Sequence, residues 1–154
     1  MDNIDILTSD LTTVDVSRPL LAAGVVELSV AEMKVEPNKD GNKQNLNITL
    51  KTVNNERSTK GDVLHPGMVL FHTISLTPTE KYTADRIQQS LKQLRLAITG
   101  EKGGSFAPVD QYLGKTLSAK IYVDEDKNGV FPTQNRVKTF ISKESTDSDN
   151  TVKL

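Results

Sequence analysis

The chain has 154 residues, of which 36% are hydrophobic and 25% are charged, and its formal net charge at pH 7 is −1. This composition is typical of one soluble globular domain whose core needs no covalent cross-links. The chain contains no cysteine, which excludes disulfides and thiolate metal sites. No apolar run reaches the ~18 residues of a membrane span, and the start MDNIDILTSD lacks the order of a signal peptide, so we expect a cytoplasmic protein without a membrane partner.

The near-neutral total conceals a gradient of charge. Residues 1–76 carry 7 Lys and Arg against 10 Asp and Glu, whereas residues 77–140 carry 10 against 7. A protein that condenses DNA would be far more basic, but a local basic groove in the second half of the chain is compatible with these numbers.

The first part of the chain predicts an arm followed by a bent hairpin. Residues 1–19 show no sustained period and are interpreted as an N-terminal arm. From Gly24 apolar residues alternate, and the phase of the alternation slips by one residue before Met33, which predicts a β-bulge in a long, bent strand. The Asp40-Gly41 pair predicts a turn into a second alternating strand that contains Leu46, Ile48 and Leu50.

The middle of the chain predicts a loop, a strand and a helix. Residues 54–62 are polar and are interpreted as a loop, and a third strand is predicted over 68–76. The sequence Thr-Pro-Thr-Glu from Thr77 favours a helix start there, with Thr83 as the competing start. A stripe of apolar residues at spacings of three and four then predicts an amphipathic helix that ends at Gly100.

The last part predicts a second hairpin. After a glycine-rich linker, residues 106–113 are predicted to form a short turn or helical piece that packs on the core. Two alternating strands come next over 116–141, and the polar tail 142–154 is predicted to be disordered. The predicted fold is therefore mainly β: a five-stranded OB-like barrel over residues 20–141, with one helix between strands 3 and 4. A small mixed sandwich is the alternative, and a doubly wound α/β fold is excluded because too few helices are available for crossovers.

No motif points to an enzyme, a metal or another cofactor. His65 and His72 lack the spacing of a ligand pair, and no serine stands in a nucleophile-elbow context. Residues 124–129, DEDKNG, match the opening of a calcium loop, but Asn135 stands where the bidentate glutamate belongs. A hairpin turn at Asn128-Gly129 explains the same residues.

The strongest chemical pattern is a sheet face that combines cations with aromatic rings. Cations that track phosphates and rings that stack under bases are typical of single-stranded nucleic-acid sites, although an ordinary charged outer face is the plain alternative. The last hairpin contributes Lys120, Tyr122, Arg136, Lys138 and Phe140, and its turn adds Lys127 and Phe131. In an OB barrel, Lys39, Lys43, Lys51 and Phe71 from the first half would join the same groove.

Two stretches resemble a known family. The segments AAGVVELSVAEMKVEPNKDGNKQNLNITLKTV and GKTLSAKIYVDEDKNGVFPTQNRVKTF are similar to the first and last hairpins of single-stranded-DNA-binding proteins encoded by bacteriophages, and the resemblance covers residues 20–141. It implies an OB fold and sequence-independent binding of single-stranded DNA in the host cytoplasm. It also implies self-association, with a dimer as the expected state, and a tail that recruits replication proteins. The chain departs from the family's acidic, aromatic-tipped tail, since it ends in Thr151-Val152-Lys153-Leu154.

These patterns support three hypotheses about function. The first is non-enzymatic binding of single-stranded DNA in phage replication or recombination, by phosphate neutralisation and base stacking. The alternative is a phage structural or assembly accessory protein that acts through protein–protein contacts. A third is an inhibitor that binds a host protein.

Overall fold

The structure, a computed structural model, describes residues 7–12, 19–125, 127–129 and 133–143. A short 3₁₀ turn at Val109–Tyr112 precedes the sixth strand of the chain. The elements are β1 (Gly24–Pro37), β2 (Gln44–Thr52), β3 (Glu56–Arg57), β4 (Val63–Leu64), β5 (Val69–Ser75), α1 (Ala84–Thr99), β6 (Thr116–Asp124) and β7 (Gln134–Ile141).

The long strand β1 organises the main sheet because it pairs on both sides. Its first half pairs antiparallel with β6, and its second half pairs antiparallel with β2. The register with β2 shifts between Val30 and Glu32, which confirms the bulge predicted from the slip in alternation. The bulge changes which positions of β1 face the core. Even-numbered residues such as Leu28 point inward before it, and odd-numbered residues such as Met33 point inward after it.

The main sheet has five strands in the order β5-β2-β1-β6-β7, all antiparallel to their neighbours. It is not closed as a barrel, so the predicted OB-like barrel is confirmed only as a five-stranded antiparallel sheet with one helix: among the described residues no ladder joins β5 to β7. Side chains meet at this seam instead. His72 of β5 lies edge-on to Phe140 of β7 with ring centroids 4.9 Å apart, and Gln93 of α1 donates to the Phe140 carbonyl at 3.2 Å.

The helix α1 begins later than the favoured prediction. Thr83 is its N-cap and accepts a hydrogen bond from the Arg86 amide, whereas the hydroxyl oxygen of Thr77 accepts one from the amide of Gln44 at the start of β2. Thr77 is thus used in a tertiary contact, which the local sequence does not show. The helix ends at Gly100, as predicted, where φ is +76° and the amide donates to the Leu96 carbonyl.

The place of α1 in the strand order also differs from the prediction. The segment interpreted as a loop contains β3, which pairs with β4 in a small separate sheet. The helix therefore comes after the fifth strand of the chain rather than the third. Leu21 connects this small sheet to the main one. Its backbone forms a β-bridge with Ser58. Its N–H donates to Oδ1 of Asn135 and its C=O accepts from Nδ2 of Asn135, both at 2.9 Å.

The core lies between the inner face of the main sheet and α1. Ile87, Leu94, Ala97 and Ile98 are the buried residues of the helix. The predicted short helical piece also packs here: Tyr112 is fully buried, and its hydroxyl donates to the Phe106 carbonyl at 2.5 Å and accepts from Arg95 at 3.2 Å. The outer face of the sheet, on the side away from the core, carries exposed and half-buried side chains.

Candidate functional site

The predicted site residues lie on two separate surfaces of the main sheet. Lys120 and Tyr122 of β6 lie beside Arg136 and Lys138 of β7, and we call this surface the β6–β7 face. Lys51 of β2 and Phe71 of β5 lie on the outer side of the other half of the sheet. Because β1 lies between β2 and β6 in the strand order, the prediction of one continuous patch becomes two patches.

The β6–β7 face carries cations around one partly exposed ring. Tyr122 lies opposite Arg136 in the ladder and is 37% exposed. Arg136 is paired with Asp124, since its Nε lies 2.5 Å from Oδ2 of that carboxylate. Lys120 lies between Val25 of β1 and Thr139 of β7, and among the described residues neither Lys120 nor Lys138 forms a salt bridge. These two lysines are thus the cations available to a bound anion.

Phe140 is not part of this face, and its predicted exposure is wrong. The register of β7 shifts opposite Lys120 and Ile121: Thr139 lies opposite Lys120, but Val137 lies opposite Ile121. The extra residue is Lys138, and a bulge there reverses the parity of the residues after it. Phe140 therefore points into the core at 7% exposure, opposite the small side chain of Ala119.

Phe71 is the most exposed phenylalanine or tyrosine ring among the described residues. It is 61% exposed and lies opposite Thr49 of β2, with Lys51 as a diagonal neighbour on the same face. Beside it is an open groove of about 280 Å³, which we call the Phe71 groove. The polar residues that line it come from three strands: Glu32, Lys34, Glu36, Asn47, Thr49, His72 and Thr73.

A chain of hydrogen bonds orients the polar side chains of the groove. The Thr73 hydroxyl donates to Oδ1 of Asn47 at 3.0 Å, and Nδ2 of Asn47 donates to Oε1 of Glu36 at 3.0 Å. Lys34 lies between the two glutamates on β1, with its Nζ 3.9 Å from Oε1 of Glu32. Glu32, Glu36 and Asn47 were missed as site residues by the sequence analysis. The slip in the alternation of β1 could have indicated the two glutamates, because it turns Glu32 and Glu36 to the same face as Phe71.

The remaining predicted residues lie in turns or outside the described residues. Lys39 and Lys43 are exposed in the β1–β2 connection, where the Asn38 side chain accepts from the Lys43 amide at 3.3 Å. Lys127 is exposed in the β6–β7 turn, in which Gly129 has a φ of +70°. Phe131 and most of the predicted arm and tail lie outside the described residues.

The two histidines have different surroundings. His65 is exposed, whereas His72 lies at the seam between β5 and β7. Burial, and secondarily the positive charge of Arg136, lower the pKa of His72 below its ordinary value of 6.5, so the ring is neutral at pH 7. Within the described ranges no three His, Asp or Glu side chains come together to hold a metal; Asp126 of the calcium-like segment is not among them.

Comparison with known proteins adds no family. No protein-family model matches the chain, and no curated protein matches its sequence. In the described part of the chain no helix is both long and apolar enough to cross a membrane. The geometry of the two surfaces is therefore the basis on which a function can be assigned.

Proposed function

We propose that the chain is a non-enzymatic single-stranded-DNA-binding protein of the OB type that acts in phage replication or recombination. The observation that carries the proposal is the Phe71 ring, which is 61% exposed in the middle of a strand. An exposed phenylalanine contributes little to the core, whereas a ring on an open sheet face stacks a base for about 1–3 kcal/mol.

The strand order supports the OB interpretation. An OB fold is a partly open five-stranded Greek-key barrel that binds oligonucleotides over its second and third strands. In the order β5-β2-β1-β6-β7, the second and third strands of the main sheet along the chain are β2 and β5, and these present Lys51 and Phe71. The bent β1 joins both halves of the sheet, as such a barrel requires.

The cations supply the electrostatic part of the proposed binding. Lys51 lies diagonal to Phe71, Lys43 comes after the β1–β2 turn, and Lys120 and Lys138 lie on the β6–β7 face beside Tyr122. About four phosphate contacts to a single strand give a salt slope of about −3, which corresponds to a roughly 50-fold loss of affinity between about 50 and 200 mM salt.

The test is fluorescence anisotropy of a labelled mixed-sequence oligonucleotide of about 30 residues, titrated at those two salt concentrations, with duplex as comparison. Tight binding of the single strand, weaker at high salt and much weaker for duplex, is the expected result. Absence of binding at tens of micromolar protein in low salt would overturn the proposal.

The matched variants are Phe71→Ala and Val69→Ala, which truncate two exposed side chains on the same face of β5. We expect Phe71→Ala to weaken binding by about 5- to 150-fold, because one stacked base is lost, with little loss of folding stability. Val69→Ala is expected to leave the affinity within about 2-fold, since it removes no ring.

A second candidate, an assembly role through protein–protein contacts, is favoured by one observation. Val25 and Ile141 are 61% and 38% exposed on the outer side of β1 and β7, beside Lys120 and Ser118. Aliphatic side chains on a sheet face suit a subunit contact, and the resemblance to phage proteins also implies self-association. Concentration-dependent assembly without any oligonucleotide binding would select this candidate.

A further inference from the structure

The two sides of the Phe71 ring along β2 differ in charge. Thr49 lies opposite Phe71, with Lys51 on one diagonal and Asn47 on the other. Lys51 lies opposite Ser29 of β1, whereas Thr49 lies opposite Glu32. On the other diagonal, Asn47 lies opposite Lys34, which has Glu32 and Glu36 on either side of it along β1. A single strand stacked on the ring therefore meets Lys51 alone on one side and two carboxylates around one ammonium on the other.

The carboxylate side is poor for phosphate and rich in hydrogen-bond acceptors. Glu32 and Glu36 contribute four carboxylate oxygens, of which one accepts from Asn47 and one lies near Lys34. Asn47 uses one N–H on Glu36 and one lone pair on Thr73, so its orientation is fixed, and one N–H and one lone pair remain. Two carboxylates against one ammonium would repel a phosphate but accept hydrogen bonds from a neutral base.

The span of the groove suits a base that stacks on Phe71 and reaches β1. Directly opposite residues in an antiparallel pair have Cβ atoms about 5 Å apart, so Phe71 and Glu32, with Thr49 between them, are separated by about 10 Å. A base stacked on the ring would cover Thr49 and turn its edge to Glu32 and Asn47, with its phosphate toward Lys51.

We propose that the Phe71 groove selects bases that carry an exocyclic amino group, and cytosine over thymine in particular. The N4 amino group of cytosine donates to a carboxylate, whereas thymine presents the O4 acceptor at the same position and is repelled. The inference rests on the proposed binding of single strands, and it adds a base preference to binding that was expected to be independent of sequence. Glu32 and Glu36 are the residues that carry the preference.

The experiment compares labelled dC and dT oligonucleotides of about 20 residues by anisotropy at about pH 7.5, since cytosine carries an amino donor at C4 where thymine carries the O4 acceptor. Wild-type protein is expected to bind the dC oligonucleotide about 10-fold more tightly. In Glu32→Gln/Glu36→Gln this ratio falls to about 1, because dC loses its charged acceptors while dT gains from the removal of two negative charges. The control Glu27→Gln/Glu80→Gln removes two exposed carboxylates outside the groove and is expected to keep the ratio.

The outcomes separate this inference from the function on which it rests. Equal binding of dC and dT by the wild type overturns the base preference and leaves single-strand binding in place. A preference that survives in Glu32→Gln/Glu36→Gln overturns its assignment to the groove. Failure of both oligonucleotides to bind overturns the proposed function, and the preference with it.

Discussion

The two outer surfaces of the sheet start from similar sequence patterns and end with different structures. In both β5 and β7, buried and more exposed side chains alternate along much of the strand. Each strand contains a phenylalanine at a position where alternation alone predicts the outer face. The ladder of β5 with β2 runs without a register shift, so Phe71 stays outside. The ladder of β7 with β6 contains a bulge, so Phe140 is turned inward. Parity predicts the face of a side chain only as far as the register continues unbroken.

The surfaces also differ in charge, which indicates different parts in binding. The β6–β7 face has Lys120 and Lys138 without salt bridges, and its one close ion pair among the described residues joins Arg136 to Asp124. The Phe71 groove places two glutamates beside its ring. Under the proposed function the first surface would contact phosphates and the second a base, a difference that single and double variants can test.

Phe140→Ala is expected to be the most damaging change, because it empties a buried site between Ala119 and His72. The loss should be about 3–5 kcal/mol in the free energy of unfolding, measured by urea denaturation. Phe71→Ala, the same substitution on the exposed ring, is the control and should cost less than about 1 kcal/mol. Equal losses for the two variants would contradict the bulge in β7.

Lys120→Gln/Lys138→Gln tests the phosphate role of the β6–β7 face. Removal of two of the four phosphate contacts should reduce the salt slope of oligonucleotide binding from about −3 to about −1.5 and weaken dC and dT equally. The control Lys60→Gln/Lys81→Gln neutralises two exposed lysines outside the main sheet. An unchanged slope in Lys120→Gln/Lys138→Gln would remove this face from the proposed site. Arg136 is less suited to this test, because its replacement would leave Asp124 without its partner.

His72 lies at the seam between β5 and β7, and its burial predicts that the free energy of unfolding depends on pH. Because its folded pKa lies below 6.5, the unfolded chain binds the proton more readily than the folded chain. The contribution of His72 is therefore complete above about pH 6.5 and is lost as the pH falls through the lower, folded pKa. In urea denaturation at a series of pH values, His72→Gln should lose less stability on acidification than the wild type, and the difference should be smaller than the effect of Phe140→Ala. Parallel curves would contradict a buried, neutral His72.

Some features of the fold were determined by the sequence itself because their causes are local. The slip in β1 reports a bulge within one strand, and Gly100 ends α1 because glycine tolerates the positive φ of the helix end.

Other features were decided only by tertiary structure, because their causes lie far away in the chain. Thr77 looked like a helix cap, but its hydroxyl accepts from Gln44, 33 residues earlier. Phe140 is turned inward where Ala119 leaves room for the ring and His72 packs against it, and no neighbour of Phe140 in sequence carries that information. In the same way, one groove forms from Glu32, Asn47 and Phe71 only when three strands pair. Alternation along a strand predicts the face of each residue, but the register between strands decides which residues lie next to each other on that face.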